Sequence, residues 1–210
     1  MYGGATGDER WSERRAQLMN AGLELLASDD GARAFTVRGV CRQARLTSRY
    51  FYEHFGDAGE LATAIYDEEV LKLTTVTLAA MDGVPDEIPL VTRAAIGALI
   101  DQVAEDPRRG RVLFSPALVA VPAIAERRHA STQLFVDLFQ DEVRKRIPTA
   151  SGSSFDVAAE MVIGGLGQAI SSWLDREISL KKGALVAGIS DVIALVALSH
   201  RDRPPDDEGV

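Results

Sequence analysis

Apolar residues recur every three to four positions through most of this chain, and beyond Pro89 there is no strand signal, so the pattern predicts helices throughout. Ala16, Met19, Leu23 and Leu26 mark a first helix over Ser12–Ser28, with Ser12 at its N-cap and Asp29-Asp30-Gly31 breaking it. Phe35, just before Thr36, is placed to staple the next helix onto the core. Thr36 caps a short helix whose inner side carries Val37, Val40 and Ala44, and the chain turns near Arg45-Leu46. Thr47 caps a second short helix, with Phe51 and Phe55 at i, i+4. A long helix follows from about Ala58 to Met81, and Asp82–Pro89 reads as a loop. Further helices are predicted over Leu90–Ala104, from Asp106-Pro107 through Phe114, and over Ala123–Ile147 with Leu134, Phe135, Leu138 and Phe139 inward. Pro116 and Pro122 mark breaks or kinks, and Pro148–Ser154 is a loop. Phe155–Leu180 and Gly183–Ser199 complete an all-α chain of about nine helices. Residues 1–8 read as a disordered lead, and His200–Val210 as a solvated tail.

The last two helices are unusually apolar. Gly164, Gly165 and Gly167 sit inside the first of them, where each glycine costs roughly 1 kcal/mol unless another helix approaches closely. Leu185, Val186, Ile189, Val192, Ile193, Leu195, Val196 and Leu198 leave little polar surface on the last one, so it needs burial on more than one side. A four-helix bundle built from two copies of this pair supplies that burial. The expected homodimer interface is therefore Gly164, Gly165, Gly167, Ile189, Ile193 and Val196. Trp173 is left open between core, dimer interface and ligand contact.

Composition narrows the function classes. The 210 residues are 46% apolar and 26% charged, ordinary for a globular protein with a sizeable core. A single cysteine, Cys41, excludes an internal disulfide framework and a multi-cysteine zinc site. His54, His129 and His200 lack metal-ligand spacing, and Glu126/His129 at i, i+3 reads as a surface ion pair. No glycine-rich phosphate loop or nucleophile elbow is present, so no catalytic residue, metal or cofactor is expected. The N-terminus lacks the apolar run of a secretory signal, and no stretch of about 18 apolar residues exists, so no membrane span is expected. The expected location is the cytoplasm.

Charge is where the chain departs from the ordinary. Its net charge is −8, yet residues 33–55 carry Arg33, Arg38, Arg42, Arg45 and Arg49 against one acid, Glu53. A basic island on an acidic protein suits a polyanionic partner. Two short capped helices joined by a tight turn describe a helix-turn-helix, whose second helix enters the DNA major groove. With Phe51 and Phe55 holding that helix, Ser48, Arg49, Tyr50, Tyr52 and His54 remain for DNA. Arg49 suits a guanine edge, Tyr50 a thymine methyl or phosphate, and Tyr52 and His54 phosphate oxygens. Thr36 and Thr47 place helix N-termini where phosphates dock. A helical adaptor without sequence-specific DNA binding is the alternative reading of the same helices.

The segment TVRGVCRQARLTSRYFYEHFGDAGEL resembles the capped helix, turn, aromatic recognition helix and acid-Leu start of the following helix in the TetR family of bacterial transcriptional regulators. The resemblance covers residues 12–61 and is carried above all by Tyr52, His54 and Phe55. VIGGLGQAISSWL, from Val162 to Leu174, is similar to the Gly-rich helix that precedes a Trp-Leu in family members. Two positions depart from the family pattern. Arg45 stands where the turn usually has glycine, which demands a strained left-handed residue or another path, and Ala58 stands where lysine is common. Arg38, Arg42 or Arg45 can compensate for the missing lysine. The resemblance implies a DNA-binding head over residues 1–57, a ligand-binding and dimerisation domain over 58–200, and a tail over 201–210. It further implies a homodimer on a palindromic, double-stranded operator, released by an effector. Around residues 90–147, with Met81 and Trp173 nearby, Leu99, Val103, Phe114, Leu118, Phe135, Leu138 and Phe139 offer a lining for a small hydrophobic effector. Gln102, Ser115, Gln133 and Gln168 supply the orienting polar groups.

Overall fold

A computed structural model describes residues 7–201. Among these residues it contains ten α-helices, one 3-10 turn and no strand. In chain order they are α1 (Gly7–Leu26), α2 (Gly31–Ala34), α3 (Val37–Ala44), α4 (Ser48–Tyr52), α5 (Ala58–Met81), α6 (Ile88–Glu105), α7 (Pro107–Phe114), the 3-10 turn Pro116–Ala120, α8 (Pro122–Arg146), α9 (Ser153–Leu174) and α10 (Lys182–Ser199). The all-α expectation holds, with one helix more than predicted because the Asp29-Asp30-Gly31 break is followed by the single turn α2.

Several boundaries differ for identifiable reasons. Helix α1 begins at Gly7, so Gly7 and Asp8 are helical and Ser12 is an exposed interior position rather than the N-cap. Asp8 and Glu9 favour this earlier start by placing acids in the first turn. Residues 1–6 and 202–210, which carry the rest of the expected lead and most of the expected tail, lie outside the described residues. Pro89, Pro107, Pro116 and Pro122 each fall in the first turn of an element, where a missing N–H costs nothing; Pro89 therefore belongs to α6 and Pro122 opens α8. Helix α9 stops at Leu174, six residues early. Arg176 adopts φ 60°, Glu177 N–H donates to the Ser172 carbonyl at 2.9 Å, and Trp173 Nε1 donates to the Leu180 carbonyl at 3.0 Å.

Helices α1, α3 and α4 enclose one end of the core through Leu18, Leu26, Val40 and Phe51, all at most 2% exposed. Phe35, also buried, packs in the same cluster. Helix α5 carries this core into the body with Leu61, Ile65 and Leu73, where α6, α7 and α8 pack against it, α10 packs on α6, and α9 on α7 and α8. Gly22 lies at the α1–α5 contact: a Cβ there would stand 2.5 Å from Ile65 Cδ1, so the close approach requires glycine or a shifted isoleucine. Tyr66 and Ser131 hydroxyls meet at 2.8 Å and tie α5 to α8 inside the core.

Polar contacts fix the junction between the two ends. Asp106 caps α7 by accepting from Arg108 N–H at 3.2 Å, and it accepts from Arg108 Nε at 2.9 Å. Arg108 in turn reaches Glu24 of α1 at 3.4 Å. Hydrogen bonding from Arg108 holds the Asp106 carboxyl below its ordinary pKa, although burial opposes this. A carboxylate with a depressed folded pKa contributes stability above its unfolded value, and that contribution is lost as pH falls through the folded value. We expect Asp106→Asn to lower unfolding free energy by about 1–2 kcal/mol at pH 7, measured in urea. The difference from the native chain should shrink below about pH 4.

Candidate functional site

The short helices α3 and α4 owe their positions to the turn chemistry around them. Thr36 Oγ1 accepts from Gly39 N–H at 3.0 Å, the cap its sequence position predicts. A Cβ on Gly39 would lie 2.3 Å from the Ala34 carbonyl oxygen, so this first turn is closed to any other residue without a backbone shift. Arg45 sits at φ 55°, ψ 37°, the left-handed conformation that the departure from glycine demanded. Thr47 has extended backbone at the N-cap of α4, but its side chain makes no capping bond. Asp57 caps α5 through Glu60 N–H at 2.8 Å, and the Glu60 carboxylate takes Gly56 N–H at 2.6 Å. Both contacts set the angle at which α4 leaves the turn.

The polar residues of this unit divide into outward and inward sets. Arg33, Arg38, Arg42, Arg45, Thr36, Thr47 and Ser48 are exposed. Arg49 is 85% exposed, with Nε 3.2 Å from Glu53, and Tyr52 is 60% exposed. Arg38, Arg42 and Arg45 form no ion pair with another described residue. Tyr50 is half-buried beneath Arg14, whose guanidinium carbon lies 4.1 Å from the ring centre. His54 faces inward. Its ring is 4.6 Å from that of Trp11 and 6.4 Å from that of Phe55, and both ring nitrogens are buried without a hydrogen-bond partner. Burial lowers its pKa, Glu53 opposes the shift, and Arg15 and Arg14 add to it. A neutral, enclosed imidazole braces α4 against α1; in this structure it does not reach outward as a phosphate ligand.

Trp11, Arg14 and Arg15 were absent from the residue set read from sequence. Their spacing puts them on one side of α1, facing α4 and the turn after it: Arg15 lies 5.4 Å from the Phe55 ring centre. That spacing was visible in sequence, but only the docking of α1 onto α4 shows what it faces.

The body holds a cavity of about 140 Å³ between α5, α6, α8, α9 and α10. Leu99, Phe135, Leu138 and Phe139 of the expected effector lining border it, together with Met81 and a largely apolar wall. The other eight expected residues lie elsewhere, among them Ser115 at the C-cap of α7 and the exposed Gln133, whose Nε2 donates to Glu160 at 3.1 Å. Val103 and Leu118 are core, Phe114 packs near Gly167, and Gln102 is half-buried away from the cavity. Gln168 donates to Ser172 Oγ at 3.1 Å, and Trp173 is committed to Leu180. Two ionisable groups border the cavity, Glu142 and Arg146. Burial pushes the Glu142 pKa up, but hydrogen bonds from Lys145 and Arg146 outweigh it and leave the pKa lowered.

A second feature of the body is an exposed strip. On α9, Val157, Met161, Gly164, Gly165 and Gln168 are exposed, and among the described residues nothing lies within 4 Å of where a Cβ on Gly164 or Gly165 would stand. On α10, Gly188, Val192 and Leu195 are exposed. Of the other expected interface residues, Gly167 faces Phe114, Ile193 borders the cavity, and Ile189 and Val196 are half-buried against the core. By length and composition α9 and α10 are each apolar enough to cross a membrane, contrary to the expectation that no such stretch exists. Here they pack against the body and leave this strip uncovered.

The arrangement, a helix-turn-helix unit joined by a long helix to an all-helical body, is that of the TetR regulators. The fatty acid degradation regulator FadR from Bacillus halodurans superposes with a TM-score of 0.70 at 14% identity, over 86% of this chain and 94% of that one. A TetR-like transcriptional regulator from Rhodococcus sp. RHA1 gives 0.68 at 18% identity, over 88% and 93% of the two chains. A transcriptional regulator of the AcrR type from Aquifex aeolicus VF5 gives 0.67 at 14%, over 87% and 99%. No family model matches the sequence, and neither does any curated protein. The chain has the TetR-family fold.

The two special backbone positions of α3 predict stability changes of opposite sign. Arg45→Gly relieves a left-handed residue and should leave stability unchanged or raise it by up to about 1 kcal/mol. Gly39→Ala should cost about 1–3 kcal/mol as Ala34 is forced away. Urea unfolding of both variants beside the native chain measures each change.

Proposed function

We propose that this protein is a one-component transcriptional regulator which binds a palindromic operator as a homodimer and is released by a small, largely apolar effector. The observation that carries the reading is the exposed basic surface of α3 and α4, with Arg49 and Tyr52 outermost, on a chain of net charge −8. An Arg on a short helix in the major groove reads guanine through a bidentate pair, while Arg38, Arg42 and Arg45 supply phosphate contacts without sequence preference. The unit over residues 1–57 is the proposed DNA-binding part, and residues 58–200 carry dimerisation and ligand response.

The proposed dimer joins the exposed strips of α9 and α10 across a twofold axis. Gly164 and Gly165 then face a close helix approach that no described residue of the single chain makes. Met161, at 72% exposure, and Leu195, at 70%, are the apolar anchors. Effector binding in the cavity has to favour one head spacing over the other by about 1–3 kcal/mol to act as a switch.

Selection from genomic fragments, followed by a mobility shift at stated salt, tests operator binding; no preference over bulk DNA would refute it. Arg49→Ala should relax specificity at one base position. Arg45→Gly should weaken binding to all sequences and reduce the salt slope by about one ion. For assembly, Met161→Glu and Leu195→Glu should each shift the mass in light scattering from dimer to monomer while the helical signal persists. A dimer unchanged in both would place the interface elsewhere.

A further inference from the structure

We propose that the cavity is built for a monocarboxylate: a short apolar chain or single ring ending in a carboxylate that pairs with Arg146. This deepens the effector reading above and rests on it. The volume, about 140 Å³, is close to that of apolar cavities that hold one benzene-sized molecule. The wall is apolar apart from Thr74, Thr77, Thr92 and the charged Glu142 and Arg146, so size and charge together describe a small amphipathic ligand with one polar terminus.

That end is placed by helix geometry. Helices α5 and α8 are tied at Tyr66 and Ser131, and both border the cavity further along. Thr77 lies eleven residues beyond Tyr66, and Glu142 eleven beyond Ser131 (77 − 66 and 142 − 131), so both stand about 16 Å up their helices at one level. Thr77 Oγ1 is buried and has no hydrogen-bond partner. Arg146, one turn above Glu142, is 15% exposed. The unpartnered Thr77 hydroxyl and the paired Glu142 and Arg146 thus gather at one end of the apolar wall.

The charges there favour an anion. Glu142 already receives two cations: Lys145, and Arg146 Nη1 at 2.9 Å. A ligand ammonium would compete with both for one carboxylate. Arg146 has its second carboxylate in Asp86, 2.7 Å from Nε, yet Nε has no aligned hydrogen bond and Asp86 is 79% exposed on the segment between α5 and α6. A ligand carboxylate exchanges with Asp86 at little Coulombic cost, takes the aligned Nε–H bond and accepts from Thr77. A buried bond between ionised partners is stronger than one at a solvated surface.

Isothermal titration of the full chain at pH 7 with hexanoate, 1-hexanol and hexylamine tests the charge preference. Hexanoate should bind at least about tenfold more tightly than the alcohol, with the amine weakest. Arg146→Gln should reduce hexanoate to the level of the alcohol and leave the alcohol itself unchanged. Asp86→Asn, at an exposed position, should tighten hexanoate a few-fold by removing its competitor. Equal binding of acid and alcohol, or stronger binding of the amine, overturns the carboxylate assignment and leaves the effector reading standing. If none of the three binds, the cavity takes no small ligand and both readings fall.

Discussion

Helix α5 buries side chains at both ends of the molecule. It runs 24 residues, about 36 Å, with Leu61, Ile65 and Tyr66 packed in its first half and Leu73 further along. Thr74, Thr77, Leu78 and Met81 in its last turns border the cavity. Between these ends the backbone ladder is unbroken by proline, so a displacement at one end is carried to the other instead of being absorbed at a kink. The angle between head and body is therefore a packing problem of one rod against α1 and α7, and everything said about a switch depends on it.

The junction that holds this rod is ionic where the rest is apolar. Glu69 of α5 is 5% exposed and meets Lys72 at 2.9 Å and Arg109 of α7 at 3.5 Å. Arg109 also reaches Asp106 at 3.6 Å, which Arg108 links onward to α1. Each half-exposed pair adds little by itself. A buried carboxylate is different, because removing its cations leaves an uncompensated charge. The network therefore limits the docking geometries open to α1, α5 and α7 more than it raises their stability. A polar hollow of about 380 Å³ beside it, bordered by Trp11, Arg15, Glu68 and Arg108, leaves α1 less tightly packed here than at Gly22.

The helix-turn-helix unit shows how a motif and its surroundings share the work. Thr36, Gly39 and Asp57 define their turns through local bonds that depend on neighbours in sequence. His54 belongs to the same motif, yet its environment comes from Trp11, more than forty residues earlier. The aromatic contact turns a residue with hydrogen-bonding capacity into a brace. Arg45 lies between these cases: its conformation follows from the local turn, and its charge faces solvent.

What the sequence determined by itself was whatever depends on short spacing. Helical periodicity, the Thr36 cap, the start at Pro107 and the basic surface of α3 and α4 all come from residues within a turn or two of one another. Boundaries slipped where the deciding partner was less local, as with the end of α9 at Arg176 and Trp173. The tertiary structure decided which face of each helix meets which neighbour. Phe135 and Phe139 reach the cavity while Phe114 does not, and Ile193 turns inward while Leu195 faces out. An apolar residue gains from burial in any direction, so composition cannot choose between core, cavity and interface. That choice is made by the rotation and crossing of whole helices, fixed by the packing of the entire chain.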